Sequence, residues 1–113
     1  MLRNLTPVQL SDQERYAIFL ELNIPTKVIQ GWIEEEIKTS HRPQYIEPLG
    51  DLPVGTVGQQ IKYFVKLANG ERWELAKVHQ YRLPDGTIRG GPDPLYICLD
   101  DVVLTRTEKR NLS

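Results

Sequence analysis

The sequence predicts an α+β fold in which an N-terminal helical hairpin packs on a small bent antiparallel sheet, and three observations carry that expectation. Up to about His41 the apolar residues recur at helical spacing, and beyond it Gly, Pro and Asn-Gly or Asp-Gly pairs cut the chain into short alternating runs. Two turn sequences, Ala68-Asn69-Gly70 and Pro84-Asp85-Gly86, are flanked by β-branched and aromatic residues, as hairpins require. Finally, 113 residues that are 40% hydrophobic and 26% charged suffice for one core but not for two. The expected organisation is one domain over 1–113: a helical hairpin at about 11–40, an antiparallel sheet at about 45–105 and a tail at 106–113.

The helices follow from local chemistry. Ser11-Asp12-Gln13-Glu14 fits a capping box, with the Ser11 hydroxyl and the Glu14 carboxylate each accepting from the other's backbone N–H. The helix it opens runs to about Leu22, where Asn23 can take the left-handed turn conformation. Pro25 or Thr26 then starts a second helix with Val28, Ile29, Trp32, Ile33 and Ile37 on one stripe. On this reading Trp32 is buried, as is Trp73 in the sheet.

In the sheet, a two-residue Asn69-Gly70 loop would set Lys62 against Lys77, like charges opposite each other. A three-residue loop with Gly70 in the left-handed position instead pairs Val65 with Trp73 and Tyr63 with Leu75, one continuous apolar face, and is preferred. The same logic at the second turn sets Leu83 opposite Thr87 and Tyr81 opposite Arg89. A last strand from about Leu95 to Leu104 completes an antiparallel meander. "LPVGTVGQQI", the hairpin centred on Asn69-Gly70 and the terminal "LDDVVL" together resemble the first turn, central hairpin and closing strand of small SH3-like barrels. The likeness covers about half of the chain. It implies a strongly bent five-stranded sheet and a binding fold more often than an enzyme, although fold alone does not decide function.

Composition narrows the function classes. With a net charge of −1 the whole molecule offers no broad attraction to nucleic acid or to an anionic membrane. No apolar stretch nears the roughly 18 residues that span a bilayer, and "MLRNLTPVQLSDQE" has no signal-peptide block, so a cytosolic protein is expected. The single cysteine, Cys98 in "LYICLD", reads as a small buried apolar residue and cannot form a disulfide within the chain. His41 and His79 lie in different elements with no partner at metal-ligand spacing, and no phosphate-binding Gly-Lys-Ser/Thr loop or nucleophile elbow occurs. No metal or cofactor is therefore expected.

Residues 15–36 raise one specific alternative, a DNA-reading helix-turn-helix. The second helix would pack through Ile29, Trp32 and Ile33 and offer Lys27, Gln30, Gly31, Glu34, Glu35 and Lys38 to the major groove. Two lysines against two glutamates leave no net charge for phosphate contacts, and Phe19 stands where close helix crossing wants a small residue. The balance favours a packed hairpin, with nucleic acid the less favoured partner.

The polar stretch that stands out is "KVHQYRLPDGTIRGGPDP", residues 77–94. Lys77, His79 and Tyr81 alternate along one strand, Arg89 is paired with Tyr81, and a Gly- and Pro-defined loop containing Asp93 follows. One reading is a surface for a protein partner, with Tyr81, Arg89, Asp93 and His79 as contacts, in a small interaction or regulatory module of prokaryotic type. A second is a metal-independent ribonuclease toxin, with His79 as general acid or base and Lys77 and Arg89 stabilising phosphorane charge. The bland alternative makes His79 and Tyr81 half-buried sheet residues and the loop only a turn.

Overall fold

The structure, a computed structural model, describes residues 4–39 and 53–106. Its elements in chain order are β1 (Thr6–Leu10), α1 (Asp12–Glu21), α2 (Ile24–Ile29), β2 (Ile33–Thr39), β3 (Val57–Lys66), β4 (Arg72–Arg82), β5 (Ile88–Leu99) and β6 (Val102–Arg106).

The capping box forms as expected: the Glu14 N–H donates to Ser11 Oγ at 3.1 Å and the Ser11 N–H to Glu14 Oε1 at 2.9 Å. Asn23 takes the left-handed conformation, with φ 52°. The second helix then departs from expectation. It stops at Ile29, Gly31 turns the chain with φ 84°, and Ile33–Thr39 is a strand rather than the rest of a helix. The expected helical hairpin over 11–40 is thereby corrected to two short helices followed by β2. The alternative helix-turn-helix of residues 15–36 does not form either, because Glu34, Glu35 and Glu36, which its second helix needs, lie on extended backbone. Trp32, expected in the core, is 64% exposed.

The six strands form one sheet in the order β1-β6-β5-β4-β3-β2, parallel between β1 and β6 and antiparallel elsewhere. Among the described residues the two edge strands do not meet, so this is an open mixed sheet. The expected small antiparallel sheet and the SH3-like barrel are both corrected. Five residues at the N-terminus that carried no expectation pair in parallel with β6, and seven expected in a helix pair with β3. The Gly- and Pro-defined loop expected at 90–94 is instead part of β5, which runs unbroken from Ile88 to Leu99, and the expected strand from Leu95 to Leu104 is divided between β5 and β6 by a fold at Asp100, where φ is 49°. Tyr45, where the sheet was expected to begin, and the tail beyond Arg106 lie outside the described residues.

Both hairpin loops have three residues. Leu67 and Glu71 close the first, with Gly70 at φ 90°, a backbone conformation that glycine reaches without a Cβ penalty. Leu83 and Thr87 close the second, joined by a 2.8 Å bond from the Leu83 N–H to the Thr87 carbonyl. Val65 pairs with Trp73 and Tyr81 with Arg89, as the turn chemistry predicts. The register then shifts between Tyr63 and Phe64, so that Tyr63 meets Ala76 instead of Leu75 and Lys62 does face Lys77. A β-bulge supplies one extra residue on β4 and changes the pairing beyond it. The like-charge pair is eased by Glu74, whose carboxylate lies 4.0 Å from Lys62 Nζ.

Both helices lie on one face of the sheet and share one core with it. Phe19 and Ile24 pack with Ile33, Ile61, Tyr63, Ala76, Val78, Ile97 and Leu104, and the Phe19 ring lies 6.0 Å from that of Tyr63. Cys98 is buried, as expected. Arg15 is buried among these apolar groups, and its guanidinium is satisfied from three directions: Nε donates to Pro94 O at 2.8 Å, Nη1 to Leu10 O at 2.7 Å and Nη2 to Asp12 Oδ1 at 2.5 Å. One side chain thus ties together the end of β1, the first turn of α1 and the middle of β5. No helix among the described residues is long and apolar enough to cross a membrane.

Candidate binding face

Strand alternation sorts the sheet into two faces. Ile33, Ile61, Tyr63, Ala76, Val78 and Ile97 point to the helices, so their sequence neighbours must point to the other side. On that second face β2 contributes Glu34, Glu36 and Lys38, β3 contributes Gln60, Lys62, Phe64 and Lys66, and β4 contributes Arg72, Glu74, Lys77, His79 and Tyr81. Across β4 and β5, Tyr96 stands opposite Lys77 and Arg89 opposite Tyr81. Neither helix covers this face.

Its two ends differ in electrostatics. Toward the first hairpin the charges satisfy one another. Arg72 Nη1 reaches Glu36 at 2.8 Å and Glu34 at 3.4 Å, and its guanidinium lies 4.0 Å over the Phe64 ring. The hydrogen bond to Glu36 holds the Arg72 guanidinium above its ordinary pKa. Nearby, the Tyr96 hydroxyl donates to Glu74, and burial, followed by that carboxylate, pushes the phenol well above its usual range.

Toward the second hairpin stand Lys77, His79, Tyr81 and Arg89. The His79 and Tyr81 rings meet edge to face with centroids 4.7 Å apart, which locks the orientation of both. Of the residues singled out from the sequence, Lys77, His79, Tyr81 and Arg89 are therefore brought together. Asp93 is not part of that group in the way expected. It pairs with His79 along the backbone, but its carboxylate lies 4.0 Å from Arg15 Nη2, turned toward the α1 anchor. Irregular pairing on both sides of Asp93 explains the change, because each register shift can swing a side chain out of simple alternation.

Sequence reasoning missed Phe64, Arg72, Glu74 and Tyr96, together with Glu34 and Glu36. The pairing of Phe64 with Glu74 and of Lys66 with Arg72 follows from the first turn, but which face they share was decided by the side on which the helices pack; Tyr96 depended on the β4–β5 register, and Glu34 and Glu36 on β2 being a strand. Among the described residues the face carries six basic side chains, Lys38, Lys62, Lys66, Arg72, Lys77 and Arg89, against Glu34, Glu36 and Glu74. That excess contrasts with the net charge of −1 of the whole chain. No group of three His, Cys, Asp or Glu able to hold a metal occurs among the described residues, and the second histidine, His41, lies outside them. Comparison with family models, curated proteins and solved structures finds no match.

Proposed function

We propose that this protein is a binding module that docks an acidic surface of a protein partner onto the face of its sheet opposite the helices, centred on Lys77, His79, Tyr81 and Arg89. The observation that carries the reading is the asymmetry of the sheet: one face is closed by the helices, and the other presents aromatic rings and an excess of cations. Tyr and Arg are the side chains that most often anchor interfaces, and here they stand opposite each other on paired strands. A ring already fixed against His79 loses little rotamer freedom on association. The positive face would steer an acidic partner into register.

The test compares partner capture by wild type with that by Tyr81→Ala, Arg89→Ala and Lys77→Ala, after circular dichroism has verified folding. Each is expected to weaken binding about tenfold or more. Lys27→Ala and Glu21→Ala, exposed on the helices, serve as controls and should bind as wild type does. Capture lost in the helix variants but kept in the sheet variants overturns the reading. Cleavage of single-stranded RNA that disappears in His79→Ala replaces it with the nuclease reading.

A further inference from the structure

We propose that the outer edge of β2 is a self-association surface, on which a second copy of this chain pairs antiparallel about Ile37 and joins the two sheets, each six-stranded among the described residues, into one. The inference is independent of the partner proposed for the open face.

Hydrogen-bond parity shows which residues of β2 are available. The Lys66 N–H donates to the Trp32 carbonyl at 3.2 Å, so in the antiparallel ladder Trp32, Glu34, Glu36 and Lys38 direct their backbone groups toward β3. Ile33, Glu35, Ile37 and Thr39 therefore direct theirs outward, and among the described residues β2 pairs with β3 alone. This edge has neither a proline nor a bulge. The opposite edge, β1, carries Pro7, which removes a donor. Apolar exposure also gathers at the β2 end of the molecule: Ile37 is 53% exposed, and Ile29 and Trp32, on the segment leading into the strand, are 87% and 64% exposed.

Charge selects the register. A twofold pairing must place outward-directed residues opposite one another, so it can be centred on Glu35, Glu36 or Ile37. Centred on Glu35, it sets Glu35 against its own copy and Glu34 against Glu36. Centred on Glu36, it sets that carboxylate against itself. Centred on Ile37, it joins two exposed isoleucines on the helix side and sets Glu36 opposite Lys38 twice on the open side. Lys38 makes no ion pair within its own chain among the described residues. Glu36 would then be shared between Arg72 of its own chain and Lys38 of the second copy. The same charges that deter indiscriminate edge pairing thus permit one register.

Sedimentation equilibrium of the full chain, over a concentration series, is expected to show a monomer–dimer equilibrium. Glu36→Lys and Lys38→Glu should each raise the dimer Kd about tenfold or more, and the double variant should restore it. Ile37→Pro removes an N–H that points away from β3, so it should leave the fold intact by circular dichroism while abolishing the dimer. Ile37→Cys should form a cross-chain disulfide on oxidation, because paired residues of a hydrogen-bonded antiparallel site lie within disulfide reach. A chain that stays monomeric throughout, a dimer unaffected by Ile37→Pro, or a double charge variant that fails to recover overturns the proposal.

Discussion

The Arg15 Nε–H donates to the Pro94 carbonyl at 2.8 Å across 79 residues of sequence. With those to Leu10 and Asp12, this contact lets a single side chain hold β1, α1 and β5 together. It also explains why a fully buried cation is tolerated, since each direction of the fork meets an acceptor.

Replacing Arg15 by Met should therefore cost about 3 kcal/mol in urea unfolding, through two carbonyls left without their donor and a carboxylate without its cation. Arg15→Lys should recover little, because one ammonium cannot reach Leu10, Pro94 and Asp12 together. A variant as stable as wild type would show that the anchor is dispensable.

Surface and core positions should separate cleanly: Trp73, expected in the core, is only half-buried, and Trp32 is exposed. Trp32→Ala is expected to change stability by no more than about 0.5 kcal/mol, as for a surface position. Ile97→Ala, in the core, should cost about 2–5 kcal/mol. Acrylamide should quench a red-shifted emission component that is missing from Trp32→Phe; an unquenched wild type would mean that this ring is covered.

Alkaline stability should depend on Tyr63. Burial, and secondarily Glu35, pushes its phenol up to about 12 from an ordinary value of 10. A raised folded-state pKa stabilises fully below pH 10 and loses that contribution as pH rises toward 12. Tyr63→Phe should accordingly show a shallower loss of stability between pH 10 and 12, followed by denaturant titration at each pH. Identical slopes would remove Tyr63 from the alkaline limb.

The acid limb has the opposite sign. Glu14 is held below its ordinary value by the Ser11 backbone N–H and then the Ser11 hydroxyl, and Asp85 by the backbone N–H and then the hydroxyl of Thr87. Both contributions are present above the unfolded carboxyl range and are lost as pH falls through the depressed folded values. The pair Glu14→Gln and Asp85→Asn should flatten the stability curve in acid, measured by thermal unfolding. An unchanged acid limb would place the titrating groups elsewhere.

The elements that local chemistry controls were legible in the sequence. Ser11 and Glu14 satisfy each other within one turn, Asn23 tolerates a left-handed backbone, and Gly70 and Gly86 set their loops without help from distant residues. From the second loop alone, Tyr81 falls opposite Arg89. Other features were decided only by tertiary contact. Ile33 and Ile37 are four residues apart, a spacing that shares one face in a helix and also in a strand, so periodicity could not choose between them; pairing with β3 did. β1 is five residues with a proline, and it becomes a strand only because β6 lies alongside. The bulge that moved Tyr63 to Ala76, the irregular pairing around Asp93 and the acceptors that gather around Arg15 arise from chain segments far apart in sequence. Hydrogen bonds that close within a few residues are written into local sequence, whereas those that span the sheet depend on which strands have already met.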